Sequence, residues 1–250
     1  GQCVQEETSF AISSLDFNKS SSTSSSLVLA SGDGNGCVRI WDINASNDGT
    51  DSGSSATKKK QKTSSSGKKV LQKEIKPRVT MESAHSQLIS GVSWGNHSTD
   101  NLSHLITGSW DHSIKLWDVE KQDCLLTLNG SRVVSCLDTS YHTEGVVATG
   151  HPDCTIRLWD VRVQTTNQSA VVSDTTFRPS HKAWVSDVQW SPSNPYQLAS
   201  TSHDGTVKLW DIRSSNPLYT VRVFPKEEKG MCLVWAPTST DDGTTKQHLF

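Results

Sequence analysis

The chain has 250 residues, a formal net charge of −2 and 33% hydrophobic residues, which allows one large or two small domains. The near-neutral balance argues neither for nor against a nucleic-acid surface, and no apolar run reaches the length of a membrane span. Gly1 to Glu7 lacks the basic start and apolar core of a signal peptide, and the six cysteines contain no CxxC pair, so reduced structural thiols are expected rather than zinc ligands.

In chain order, the first strand pattern is Ile12–Phe17. SGDGNGCVRIWD follows and ends at Trp41-Asp42; a turn rich in Gly and Asp leading into a β-branched run reads as a hairpin and a strand. From about Ala45 to Lys76 the chain is Ser, Gly, Thr, Asp and Lys with almost no apolar residue. Such a segment cannot bury enough surface to offset its ordering entropy, so disorder is expected there. The strand pattern resumes at Ile89–Trp94, passes through GSWDHSIKLWD to Trp117-Asp118, and continues in Cys124–Leu128. Val134–Thr139 then precedes GHPDCTIRLWD, ending at Trp159-Asp160. Val185–Trp190 precedes TSHDGTVKLWD, ending at Trp210-Asp211, with Pro217–Val223 behind it. After Trp235 one strand pattern remains, Lys246–Phe250. The repeat explains why nine tryptophans stand against three tyrosines.

Four short strands per repeat make one blade of a β-propeller. Aligned anchor positions fall at Thr8, His85, Gly130, His181 and Lys226. Their steps fit the roughly 40–45 residues of such a blade, apart from the first, which carries an insertion of about 30 residues. Long loops cost little extra closure entropy, so a propeller tolerates it. The expected fold is therefore all-β, a partial WD-repeat β-propeller. Its blades would cover residues 8–44 plus 78–83, 85–128, 130–177 and 181–223, with the start of a fifth at 226–250 and a basic, Ser-rich insertion at 45–76. The fifth blade would lack its third and fourth strands. An open arc exposes backbone edges, so the sequence reads as a portion of an expected seven-bladed ring.

Counting back ten and six residues from each Trp finds a polar set. The second blade gives His85, Thr107, Asp111 and Trp117, and the fourth gives His181, Ser200, Asp204 and Trp210. The first blade offers Thr8, Ser31, Asn35 and Trp41, and the third Gly130, Thr149, Asp153 and Trp159; both lack the His. A His between a carboxylate and a hydroxyl uses both ring nitrogens, while the indole N–H needs an acceptor. These sets are read as a structural network. A Ser-His-Asp hydrolase is the competing reading, but recurrence at the repeat period favours architecture, and nothing marks an oxyanion site. No catalytic, metal-binding or cofactor-binding residue, no cofactor and no small-molecule substrate are expected.

Lys58, Lys59, Lys60 and Lys62, with Lys68 and Lys69 shortly after, form the one charge cluster. It suits a nuclear import signal or a contact to RNA phosphates, or is simply a solvated loop. No aromatics are interleaved, so base stacking is not supported.

The order of features carries a closer resemblance. KKKQKT at Lys58–Thr63 is followed by HSQLISGVSW and by GSWDHSIKLWDVE at Gly108–Glu120. Next comes a blade opening on Asn129-Gly130, then IRLWDVR at Ile156–Arg162 and SHKAWVSDVQWSPSNPYQLASTSHDGTVKLWDIRSSNPLY at Ser180–Tyr219. From Lys58 onward the chain resembles the C-terminal propeller of the WD-repeat ribosome-biogenesis proteins that work with Pescadillo and Bop1. The resemblance implies a non-catalytic scaffold of the nucleolus and nucleoplasm. It would assemble with Pescadillo-type and Bop1-type proteins on the large-subunit pre-ribosomal particle and support ribosomal RNA maturation, with RNA contact either direct or through those partners. That family also carries an N-terminal ubiquitin-like domain that engages the midasin ATPase; this sequence contains none, so midasin binding is not expected of this chain alone. The alternative is a substrate receptor of a cullin-type ubiquitin ligase, since Trp159-Asp160-Val161-Arg162 and Trp210-Asp211-Ile212-Arg213 resemble the Trp-Asp-x-Arg motif of such receptors. Another WD-repeat interaction scaffold is the third reading.

Overall fold

A computed structural model of the chain describes residues 11–18, 26–44, 76–95, 104–162, 177, 181–223, 228–239 and 245–249. The described residues form strands only, with no helix. Blade I consists of β1 (Ile12–Phe17), β2 (Ser26–Asp33), β3 (Val38–Asn44) and β4 (Val79–Met81), hydrogen-bonded in that order. Blade II repeats the meander with β5 (Ile89–Trp94), β6 (His104–Ser109), β7 (Ser113–Asp118) and β8 (Asp123–Asn129). Blade III contributes β9 (Cys136–Thr139), β10 (Val146–Gly150) and β11 (Ile156–Asp160), and blade IV β12 (Val185–Trp190), β13 (Gln197–Ser202), β14 (Thr206–Asp211) and β15 (Pro217–Arg222). The first strands of neighbouring blades lie against one another, β1 on β5, β5 on β9 and β9 on β12. This is a partial β-propeller.

Several strand boundaries differ from expectation by one or two residues. The first strand of blade III begins at Cys136, not Val134, because Ser135 N–H has turned to Gly150 O outside the regular ladder. The strand expected at Lys246–Phe250 is β17 (Thr245–Leu249), and it pairs with a further strand, β16 (Trp235–Ser239). The lysine-rich segment and the other residues of 45–75 lie outside the described residues.

The hairpin between the second and third strands explains the Gly, Asp and Asn of each turn. One turn residue sits in the left-handed region in every blade: Gly36 (φ 77°), His112 (φ 72°), Cys154 (φ 69°) and Gly205 (φ 74°). Glycine takes that conformation without steric cost, whereas His112 and Cys154 carry it as strain.

The hydrophobic core lies between blades rather than inside them. Period-two alternation sends adjacent residues of one strand to opposite neighbours. Leu105 packs with Ala30, Val38 and Ile40 of blade I, while Ile106 packs with Val134, Val147 and Trp159 of blade III. Ala148 turns the other way, toward Val188, Leu198 and Trp210 of blade IV. Each fully buried aliphatic or aromatic side chain contributes about 1.5–3 kcal/mol, so blade-to-blade contact carries the fold.

The segments that open blades II, III and IV, and residues 230–233 after them, have an inner edge that side chains of the preceding blade satisfy. Ser13 Oγ donates to Ile89 O, Ser90 Oγ to Val134 O at 2.6 Å, Ser135 Oγ to Val185 O at 2.7 Å and Ser186 Oγ to Gly230 O at 2.6 Å. Carboxylates take the edge N–H groups: Asp16 accepts from Trp94 at 3.0 Å, Asp138 from Trp190 at 2.7 Å and Asp187 from Leu233 at 2.7 Å. An unpaired inner-edge group would cost about 1–3 kcal/mol.

The blade networks and a candidate interaction face

Strand pairing brings both complete polar sets together. In blade II, Trp117 Nε1 donates to Thr107 Oγ1 at 2.9 Å. Thr107 Oγ1 lies 2.7 Å from His85 Nε2, and His85 Nδ1 lies 3.0 Å from Asp111 Oδ2. Blade IV repeats this, with Trp210 Nε1 to Ser200 Oγ at 2.8 Å, Ser200 Oγ to His181 Nε2 at 2.7 Å and His181 Nδ1 to Asp204 Oδ2 at 3.2 Å. The carboxylate accepts only, which fixes the polarity: indole N–H to hydroxyl, hydroxyl O–H to Nε2, Nδ1–H to carboxylate. Ser113 and Thr206 also meet Nδ1 of their histidine, at 3.0 and 3.1 Å.

Electrostatics follow from enclosure. Burial pushes His181 down to about 4, against the charge of Asp204 pulling upward. His85 is lowered for the same reason. Burial opposes the charge of Asp111, but hydrogen bonds from Ser113, the facing His85 and the Ser86 N–H together hold it down at about 2. At neutral pH each network is thus a neutral imidazole on a charged carboxylate. Thr107 and Ser200 are 0% exposed and already accept an indole N–H. A hydroxyl so placed cannot meet a substrate, so the Ser/Thr-His-Asp resemblance to a hydrolase has no chemical outlet.

Blade III corrects the sequence reading. Gly130 stands where the network His was expected, yet a histidine is supplied from elsewhere. His151, fully buried at the end of β10, places Nε2 2.8 Å from Thr149 Oγ1, which accepts from Trp159 Nε1 at 2.7 Å. Its Nδ1–H donates to Val133 O at 2.8 Å. In the other blades a turn N–H serves that carbonyl, from Gly34 to Ala11 O, Trp110 to Leu88 O and His203 to Trp184 O. In blade III the turn residue is Pro152, which has no N–H, and the imidazole replaces it. Asp153 instead binds Thr155 and Arg157, at 2.5 and 2.9 Å.

Blade I also departs from expectation. Asp33, not Asn35, is its acidic centre: it accepts from the Asn35 and Cys37 N–H groups, both at 2.9 Å, and from Arg39 Nη1 at 2.6 Å. Thr8 lies outside the described residues. The sequence signal for Asp33 was weak, because that position is Ser109, His151 and Ser202 in the other repeats.

Both Trp-Asp-x-Arg arginines are engaged within their own blades. Arg162 forks onto Asp160 through Nε at 2.8 Å and Nη2 at 2.5 Å. Arg213 does the same on Asp211, at 2.9 and 2.6 Å, and lies 4.3 Å over the Tyr196 ring. Arg213 holds the Asp211 carboxyl at about 2. Among the described residues, no three His, Cys, Asp or Glu side chains are grouped to hold a metal ion.

These four repeats, each with a tryptophan in its third strand that is buried in blades II, III and IV, match the WD domain, G-beta repeat family at residues 1–42, 76–118, 122–160 and 173–211. The chain belongs to the WD-repeat family. This WD-repeat chain is similar to a protein of Nematostella vectensis named ribosome biogenesis protein WDR12 homolog, at 37% identity over 210 residues, 83% of this chain and 47% of the relative. A relative of the same name from Aedes aegypti is 32% identical over 210 residues, 83% of this chain and 44% of its own length. One from Chlamydomonas reinhardtii is 38% identical over 134 residues, 54% of this chain and 28% of its length. The WD-repeat chain spans about half the length, or less, of the relatives it matches.

Proposed function

We propose that this WD-repeat chain acts as a non-catalytic scaffold in ribosome biogenesis, in the nucleolus and nucleoplasm. It assembles with Pescadillo-type and Bop1-type proteins on the large-subunit pre-ribosomal particle and supports maturation of its ribosomal RNA. The observation that carries this reading is the similarity over 83% of the chain to proteins named for ribosome biogenesis. The blade networks support the non-catalytic part, since their hydroxyls are enclosed and their imidazoles serve as hydrogen-bonding struts. The cluster Lys58, Lys59, Lys60, Lys62, Lys68 and Lys69 is proposed to direct nuclear import, as a dense basic run suits.

The test is affinity purification of the tagged full-length protein from nuclear extract. Pescadillo-type and Bop1-type proteins, with large-subunit precursor RNA, are expected in the eluate. A cullin adaptor in their place would overturn the proposal in favour of a ubiquitin-ligase receptor.

A further inference from the structure

On the face that carries the turns between second and third strands, each blade sets two residues beside the innermost strand. One precedes the first strand and the other sits in the turn; in blades I, II and IV a backbone hydrogen bond joins them. The pairs are Ala11 with Gly34, Leu88 with Trp110, Val133 with Pro152, and Trp184 with His203. Blades I and III show that small or aliphatic residues satisfy the fold at both positions. The two tryptophans therefore answer no need of the repeat.

They nevertheless meet. Trp110 of blade II and Trp184 of blade IV approach to 6.2 Å between ring centroids, tilted by 44°. Trp184 continues onto His203 at 5.8 Å. Blade III, lying between, carries only Val133 and Pro152 there, which leaves room for the contact. Trp110 remains 39% exposed, so the three rings form an apolar ledge open to solvent.

The charge beside the ledge is positive. Lys182 and Lys229 are both exposed. Lys229 precedes Gly230 as Trp184 precedes Val185, the residues whose carbonyls accept from Ser186 and Ser135, and its charge reaches His203, whose pKa is lowered first by burial and then by that lysine. Of the acidic residues in the same turns, Asp153 of blade III is exposed but paired with Arg132 and Arg157, and Asp111 and Asp204 face inward. Asp111 is occupied by His85, Ser86 and Ser113, and Asp204 by His181, Lys182 N–H and Thr206. Glu228 is the exposed acid next to Lys229. The tilt of the indoles leaves no parallel slot for a nucleobase, and two lysines do not make the continuous cationic track that a phosphate backbone needs.

We propose that the Trp110–Trp184–His203 ledge, flanked by Lys182 and Lys229, docks an acidic segment of a partner protein. An aliphatic or aromatic side chain of the segment covers the indoles, and its carboxylates meet the lysines. The proposal deepens the scaffold reading, but its test is separate from the co-purification, so either can fail alone.

The test titrates the full-length protein by fluorescence anisotropy with a labelled peptide of repeated Asp-Glu-Leu-Asp, the same peptide with Lys for each acid, and oligouridine. The acidic peptide is expected to bind selectively and to weaken with salt. Trp184→Ala and the double reversal Lys182→Glu with Lys229→Glu are each expected to lower its affinity at least tenfold. The double reversal, at exposed positions, should leave the melting curve unchanged and decides the question alone if Trp184→Ala fails to fold. Equal binding of the two peptides, unchanged acidic-peptide affinity in the double reversal, or preferential binding of oligouridine would overturn the proposal.

Discussion

Thr107, Thr149 and Ser200 each carry a single hydroxyl with two tasks, accepting an indole N–H and donating to an imidazole. Removing the imidazole leaves a buried donor without a partner, at about 1–3 kcal/mol. At roughly 2–4 °C per kcal/mol for a domain of this size, His181→Ala is expected to lower the thermal midpoint by several degrees in calorimetry. His151→Ala should do the same, though no repeat motif marks it. A midpoint unmoved by His151→Ala would show that blade III does not depend on its substitute histidine. Gly130→His should not restore it, because a Cβ at Gly130 already comes within 3.2 Å of His112 O and 3.3 Å of the Trp159 ring. His85 and His181 were legible because each stands just before the first strand of its blade, β5 at Ile89 and β12 at Val185. His151 was not, since it reaches the same hydroxyl from inside its own hairpin, and only the adjacent Pro152 hints at the reason.

Between elements, the fit of one blade on the next depends on pairs far apart in sequence. Gly108 and Gly150 make room for Val134 and Val185: an added Cβ would stand 2.8 Å from Val134 Cγ1 and 2.6 Å from Val185 Cγ1. Blade IV reverses the pair, with Thr201 at the glycine position and Gly230 at the valine position, and a Cβ on Gly230 would run into Thr201 Oγ1. Gly230→Val is therefore expected to destabilise by about 1–3 kcal/mol through overpacking. Adding Thr201→Gly should recover most of that loss, giving the non-additivity of residues in contact. Urea denaturation of the two single variants and the double variant reads the coupling; simple additivity would count against this account of the seam. The strands themselves were readable from alternation and turn residues; Thr201 visibly replaces the Gly of the other repeats, but that Gly230 compensates for it was not readable, because the two meet only when the blades stack.

For the molecule as a whole, acidification should weaken the fold. His151 and His181 are held at about 4 by burial, and His85 is lowered as well, whereas an unfolded histidine titrates near 6.5. As pH falls from about 6.5 to 4, the unfolded chain takes up protons that the folded chain refuses, so stability declines. Asp187 acts in the opposite sense. Burial raises its carboxyl to about 6 despite the Leu233 N–H, so its contribution is full at low pH and is lost as pH rises toward 6. Three histidines outweigh one aspartate, and the thermal midpoint is expected to fall between pH 7 and 5; a flat or rising profile would contradict this balance.

The sequence by itself determined the blades. Period-two alternation, turn glycines and the recurring Trp-Asp act over a few residues, and short-range chemistry of that kind is written locally. The tertiary structure decided what depends on neighbours: that the core lies between blades, that Ser13, Ser90, Ser135 and Ser186 close the inner edges, that His151 completes blade III, and that Trp110 and Trp184 meet across it. Each of these needs two residues brought together by blade stacking, a distance that sequence spacing does not encode.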